Sequence, residues 1–377
     1  MKLFVTGDVH IGLKFANYPE ISDQLIQSRF DCLEKCVAQA EKEACDYFVI
    51  TGDLFDNINR IPQKQVKAVV DILSGFSGLV LVLPGNHDYY TGEEKVWKDF
   101  REALGSGGSI VLFTEMKPYS FGSAEEKITF YPAFCQSKHS SRNHLEWIRN
   151  TGMDGAGYHV GVAHGTLEGV SPDMKNEYFL MTEKELNSIP VDAWLIGHTH
   201  IPYPREAAGN QAVCGYKIFN PGTPEQTDLG NNTAGFCFLL TLEKEAGKTR
   251  VTADSYQSGG IRYYDLPLAV GTEGLRTAVE EAVKELPAKS VVRMKLSGAV
   301  PEQEYGGRQR IYDDALGRFL TYEIEDGALC ETITTERIRR EFAEIGFAAE
   351  LLESLNDKER QMAYELIKRH QKQEGRK

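Results

Sequence analysis

No two cysteines of the chain stand in a C-x-x-C spacing, and the seven present (Cys32, Cys36, Cys45, Cys135, Cys214, Cys237 and Cys330) are scattered and odd in number. That pattern argues against a disulfide framework and a zinc ribbon, and leaves the thiols to be read as small core residues. Also missing is any apolar run near the roughly 20 residues that span a bilayer. Met1-Lys2 leads at once into "LFVTGD", without the basic, apolar and small-residue segments of a secretory leader. A cytoplasmic protein with no membrane association is expected. Repeats and low-complexity tracts are absent as well. Positive charge is in short supply: Lys and Arg number 42 against 55 Asp and Glu, for a formal net charge of −13 and a pI near 5.3. Nucleic-acid binders normally carry a basic face, so this balance speaks against DNA unless divalent cations sit where a phosphate must approach.

What is present is a globular composition. A chain of 377 residues with 41% hydrophobic content can bury a full core and suggests two or three domains. Its first half repeats one pattern, in which an apolar run, a glycine or proline break and polar residues precede an amphipathic stretch at helical spacing. "KLFVTGDVH" precedes Ile21, Leu25, Ile26, Phe30, Leu33 and Val37; "DYFVITGD" precedes Val66, Val69, Val70 and Leu73; "LVLVLPGNHD" precedes Val96, Trp97, Phe100 and Leu104. These read as βαβ units with three parallel strands. From about Ile110 shorter strands follow ("IVLF", "KITFYPAF", "YHVGVAHG", "AWLIGHTH", "YKIFNPG", "GFCFLLTLE"), which fits a mixed or two-sheet sandwich. The "SGG" at 258–260 suggests a boundary. Beyond it come a strand, a helix ("EGLRTAVEEAVKEL"), a strand ("SVVRMKLSG"), a polar segment and a last strand ("RFLTYEIED"). Two terminal helices carry Ile338, Phe342 and Ile345, then Leu351, Leu352, Leu355, Met362, Leu366 and Ile367. Such a stripe either packs on its own domain or docks a partner.

The chemistry lies just past the apolar runs. Asp8 and His10 follow "LFVTG", Asp53 follows "FVITG", Asn86 and His87 follow "LVLPG", His164 follows "VGVA", and His198 and His200 follow "WLIG". Alone, an H-x-H is most often a turn, Asp8 or Asp53 a helix cap, Asn86 a turn residue and His164 a satisfied core histidine. Together they recur at the carboxyl ends of successive strands, where open α/β sheets bind ligands. Glycines before Asp8, Asp53, Asn86 and His198 allow close backbone approach. With His87 set aside, two carboxylates, one amide oxygen and four imidazoles are more than one tetrahedral zinc needs; they suit two divalent ions sharing a carboxylate. Such a pair makes a bridging water acidic and neutralises a phosphoryl centre, and manganese(II) best suits mixed oxygen and imidazole ligation.

In order, "GDVH", "GDLFD", "GNHD", "VAHG" and "GHTH" resemble the five-part signature of the calcineurin-like metallophosphoesterases, spread over residues 7 to 200. The resemblance implies an α/β fold, a four-layer β-sandwich flanked by helices. It implies that Asp8, His10 and His200 hold one ion, that Asp53 bridges, and that Asn86, His164 and His198 hold the other. His87 would be the catalytic residue facing the substrate, with Asp56 and Asp88 supporting the ligands from behind. Within the superfamily the chain is similar to SbcD-type DNA-repair nuclease subunits, relatives of the meiotic-recombination nuclease. That similarity implies a nuclease domain at 1–258, an α+β capping domain for DNA recognition at 259–332 and C-terminal helices at 333–377 that dock an SbcC-type, SMC-like ATPase. It also implies a homodimer and a manganese-dependent 3′-to-5′ exonuclease or single-strand endonuclease acting on DNA in repair and recombination. One position departs from the pattern: Asp56 stands where such exonucleases carry histidine. Two other readings stay open, a phosphodiesterase for a small nucleotide or other phosphoester, and a non-catalytic tether for DNA ends.

Overall fold

The structure is a computed structural model that describes the chain except residues 106, 124–125, 154–156, 171–172, 174, 210–211, 246, 272, 343–345 and 375–377. It divides into two compact units, Met1–Tyr263 and Tyr264–Lys377.

The first unit starts as the sequence pattern predicts. Strands β1 (Lys2–Thr6), β2 (Tyr47–Ile50) and β3 (Leu79–Val82) alternate with helices α1 (Ser22–Lys42), α2 (Gln63–Leu73) and α3 (Lys95–Leu104). β1, β2, β3 and β4 (Ile110–Leu112) pair in parallel. β5 (Tyr119–Phe121), β6 (Ile128–Ala133), the short helix α4 (Glu146–Arg149), β7 (Tyr158–His164), the short helix α5 (Glu183–Ser188) and β8 (Ala193–Gly197) come next. β9 (Val213–Cys214), β10 (Ile218–Phe219), β11 (Phe236–Glu245) and β12 (Lys248–Gln257) complete the unit. One sheet runs β4-β3-β2-β1-β11-β12-β9 and the other β10-β8-β7-β6-β5.

Both faces of each sheet are covered, which explains why the strands read as unbroken apolar runs. Along β1 the side chains alternate. Leu3 and Val5 meet Phe130, Val160, Val162 and Leu195 of the second sheet, while Phe4 points the other way into the helices with Leu33, Val66 and Trp97. The far side of the second sheet packs Trp194 and Ile196 against Leu145, Ile148 and Leu186. The layers are therefore helix, sheet, sheet, helix, and the mixed α/β architecture with helix-flanked sheets is as expected. At Gly161 on β7 a Cβ would lie 2.3 Å from the Trp194 ring, so only glycine lets that indole lie flat on the sheet.

The second unit holds a three-stranded sheet ordered β13 (Arg262–Val270), β14 (Ser290–Val300) and β15 (Thr321–Glu331), with β14 and β15 parallel. Helix α6 (Leu275–Val283) packs Leu275, Val279 and Val283 onto Val292 and Met294. The segment that sequence leaves as merely polar is helical, as α7 (Glu302–Gly306) and α8 (Arg308–Leu316). Only Ile311, Tyr312 and Leu316 of α8 are buried, too few apolar positions to announce a helix. The chain ends in α9 (Thr335–Glu341), α10 (Phe347–Ser354) and α11 (Asp357–Glu374), gathered on Ile338, Ala349, Leu352 and Tyr364. The terminal apolar stripe splits: Ile338 and Leu352 are buried, whereas Met362 and Leu366 are 60% and 64% exposed; Phe347, which is not part of that stripe, is 82% exposed. Ile345 lies outside the described residues.

Candidate metal centre

The loops after β1 and β2 continue the sheet beyond the strands themselves. The Asp8 N–H donates to Gly52 O at 2.9 Å, His10 to Asp53 O at 2.9 Å and Ile11 to Leu54 O at 2.9 Å, so the two loops are zipped side by side. Their backbone leaves ordinary territory where the function-bearing side chains sit. Asp8 (φ 53), His10 (φ 50), Asp53 (φ 51) and His198 (φ 95) are four of the seven non-glycine residues with positive φ among those described. Each costs about 1 to 3 kcal/mol and persists only where its surroundings over-determine it. Gly52 (φ +112) is required for a second reason, because a Cβ there would lie 2.1 Å from His164 Nδ1. Gly85 is packed as tightly, with a Cβ position 2.2 Å from Asp53 Oδ1.

All seven donors named from the sequence converge. Ligand atoms of Asp8, His10 and His200 lie within 4.8 Å of one another, and so do those of Asp53, His164 and His198. Asn86 Oδ1 joins the second group, 3.0 Å from His164 Nε2 and 2.9 Å from His198 Nδ1. The Asp53 carboxylate stands between the groups, its Oδ2 3.3 Å from His164 Nε2 and 3.8 Å from His10 Nε2. Across the first group, His10 Nε2 and His200 Nε2 are 3.2 Å apart, and His200 Nε2 is 3.6 Å from Asp8 Oδ1.

This donor set fits a cation on chemical grounds. His164 Nδ1–H donates to Thr51 O at 2.9 Å, so the neutral ring can present only the lone pair of Nε2 to Asn86 Oδ1 and Asp53 Oδ2. Acceptors facing acceptors in a buried place repel unless a proton or a cation lies among them. Asn86 Nδ2 is buried without a partner, which leaves the amide oriented by its oxygen. The electrostatics agree. Burial pulls the His164 ring down, yet the Asp53 and Asp8 carboxylates outweigh it and raise it to about 9. Burial and the charge of His164 push His198 down to about 4. Against the burial penalty, the surrounding histidines hold the carboxyl groups of Asp8 and Asp53 below the usual range.

His87 lies at the rim, a third exposed and on the cavity wall. Its backbone N–H donates to Asp53 Oδ1 at 2.8 Å, and its Nδ1 is 3.2 Å from Asp56 O and 3.7 Å from Asp56 Oδ1. Asp56 also reaches His10 Nδ1 at 3.3 Å. Asp88 is placed differently from the other candidates. It is buried away from the cavity and accepts from Gly85 N at 2.6 Å and Phe55 N at 3.0 Å, tying two loops together. Burial and the nearby Asp53 push its carboxyl up to about 8.

The cavity measures about 520 Å³ and counts Phe15, Tyr18 and Tyr178 among its lining residues. Sequence reasoning missed Tyr178, whose ring stacks on His198 at 5.0 Å, because nothing near it marks a site. It also missed Arg29, a buried guanidinium in α1 that donates to Val9 O at 2.6 Å and so holds the loop between Asp8 and His10. A signal for Arg29 existed: it is four residues from both Leu25 and Leu33 on the buried face.

The calcineurin-like phosphoesterase family profile matches residues 1–202. The uncharacterized metallophosphoesterase YhaO of Bacillus subtilis is 28% identical over 203 residues, covering 52% of this chain and 47% of that protein, so the match spans about half of the relative's length. Among solved structures, the calcineurin-like phosphoesterase YfkN of Bacillus subtilis aligns at 12% identity and TM-score 0.41 over 68% of this chain and 90% of its own. A dimetal phosphatase of Danio rerio aligns at 11% identity and TM-score 0.38 over 68% of this chain and 96% of its own.

Proposed function

The chain belongs to the calcineurin-like phosphoesterase family, and from that premise we propose that it hydrolyses phosphodiester bonds in DNA with the help of two divalent ions, manganese(II) being the best suited. The observation that carries this reading is the convergence of Asp8, His10, Asp53, Asn86, His164, His198 and His200 on one place, with His87 in the wall of the cavity beside it. Asp8, His10 and His200 would hold one ion and Asn86, His164 and His198 the other, with Asp53 shared. When bound, such a pair supplies an acidified water and neutralises the phosphoryl oxygens.

The remaining work falls to the chain's own groups. His87 donates a proton to the departing sugar oxygen, its Nδ1 steadied by the carbonyl of Asp56 and its charged form by the Asp56 carboxylate. Asp56 therefore serves as a support for His87 and His10 in place of the histidine that exonucleases of this kind carry there. Tyr18 and Tyr178, partly exposed in the cavity wall, offer apolar ring surface to an unpaired base, and the nucleic acid is cut exonucleolytically from 3′ to 5′ or within single strands. On the same reading the protein is an SbcD-type repair nuclease of the cytoplasm that works as a homodimer. Residues 259–332 serve DNA recognition, and 333–377 dock an SbcC-type ATPase through exposed Phe347, Met362 and Leu366.

A small nucleotide or other phosphoester is the second reading, favoured by the net charge of −13 and by Asp228 in the cavity wall. Purified protein with manganese, a bis-nitrophenyl phosphate ester and labelled single- and double-stranded DNA decides between them. Cutting of DNA that stops on chelation supports the nuclease. Ester hydrolysis with both DNAs intact transfers the site to the small substrate, and silence on both, with bound metal shown by elemental analysis, defeats the enzymatic reading.

A further inference from the structure

A second cavity of about 740 Å³ adjoins the first and shares His198, His200 and Asp228 with it. The H-x-H turn is therefore a saddle between two spaces, and a ligand whose reacting group sits on the metal donors has room on both sides. Each space lies within the roughly 300 to 1,000 Å³ of ordinary ligand sites.

Charge is arranged to match. Lys14 lines the first cavity and Arg205 the second, both exposed, and neither takes part in an ion pair among the described residues. In a chain with 13 surplus negative charges, two uncompensated cations flanking one metal centre are notable. The carboxylate in the shared wall is partly satisfied by its own loop: Asp228 Oδ1 accepts from Gly230 N at 2.7 Å, and Oδ2 from Thr227 Oγ1 at 2.8 Å. That loop is fixed to the saddle, because Asn231 Nδ2 donates to His200 O at 3.2 Å and Gln226 Nε2 donates to the Asn231 carbonyl.

We propose that the second cavity is a subsite for the phosphate next to the scissile one, gripped by Arg205, with Lys14 as the counterpart on the other side. The substrate is then a polynucleotide strand with a second phosphodiester beside the one that breaks, on the Arg205 side, and, where the cut falls within a strand, a third on the Lys14 side. This rests on the nuclease reading and adds to it the residues that measure substrate length. Arg is suited to the task because its planar fork meets phosphate oxygens in pairs.

The test compares wild type, Arg205→Ala and Arg205→Lys, each with manganese, on the bis-nitrophenyl ester, which has no flanking phosphate, and on a short single-stranded oligodeoxynucleotide. Arg205→Ala is expected to keep ester turnover within about twofold, to raise KM for the oligonucleotide about tenfold and to lower the salt slope of log KM by about one. Arg205→Lys should recover part of the KM and the whole slope, since the charge is kept. An oligonucleotide KM and slope unchanged in Arg205→Ala, or an equal loss on ester and oligonucleotide, overturns the subsite while leaving the nuclease standing. A wild type that splits the ester but no oligonucleotide defeats the nuclease reading itself, and the subsite with it.

Discussion

In the first unit carboxyl groups are buried in the loops that follow strands, where Asp8, Asp53, Asp88 and Glu225 are all nearly inaccessible, whereas the second unit keeps its ion pairs at the surface: Arg293 with Asp265 and Arg308 with Asp326, each side chain about a quarter to a third exposed. Of the buried polar side chains among the described residues, Ser290 alone belongs to the second unit. Burying a charge costs several kcal/mol and a strained backbone a few more, so a chain that does both in one place is using stability for chemistry. The second unit, held by an apolar cluster on its sheet, shows what the same chain builds without that demand.

Substitutions should break this contrast in a fixed order. The largest effect is expected for Asp53→Asn, which removes the carboxylate between the two donor groups: ester turnover should fall by about 10³-fold or more, and the metal-free protein should melt at a lower temperature at neutral pH, since the buried His164 loses the carboxylate that holds its charged form. Retained activity, or an unchanged melting temperature, would contradict it. Next, His87→Ala should lose about 10² to 10⁴-fold in turnover yet keep its metal by elemental analysis; loss of metal would make His87 a ligand. In the second unit Val279→Ala, fully buried on α6, should cost about 2 kcal/mol in urea unfolding and leave ester hydrolysis untouched.

Acid and base should separate the units more gently. His164, raised to about 9, stabilises the metal-free protein fully below about pH 6.5, and that contribution is lost as pH rises through about 9. Manganese, occupying the place of the proton, should abolish this alkaline limb in a melting-temperature profile. Asp265, pulled down to about 2 by hydrogen bonds from Arg293 and Lys295, acts in the opposite direction: its contribution is present above about pH 4 and disappears as pH falls through about 2. Solvent screening keeps it near 1 kcal/mol, so the gap between wild type and Asp265→Asn should be small at neutral pH and closed at pH 2.

The metal centre was legible because each donor stands directly after an apolar run, and in a parallel sheet that position is also a place in space. Asp8 and His198 are 190 residues apart in the chain, yet the His198 N–H donates to Asp8 Oδ2 at 3.0 Å. What could not be read lay off the strand ends. Tyr178 reaches the site from a long connection, and Arg205 and Asn231 come from segments whose path no periodicity announces. Arg29 stands on the buried face of α1, but its spacing from Leu25 and Leu33 does not tell that its guanidinium reaches Val9 O across the loop. The helices α7 and α8 were hidden for a simpler reason, since three buried residues in α8 and none in α7 leave almost no apolar signal.

The zipping of the loop after β1 to the loop after β2 also governs which changes of length the chain tolerates. Adding one residue between Asp8 and Ile11, or between Gly52 and Leu54, would slip every donor on that rung by about 3.4 Å and dismantle the cradle. The stretch from Lys14 to Glu20 lies outside this ladder, so a change of length there would spare the donors but carry Lys14, Phe15 and Tyr18 out of the cavity wall.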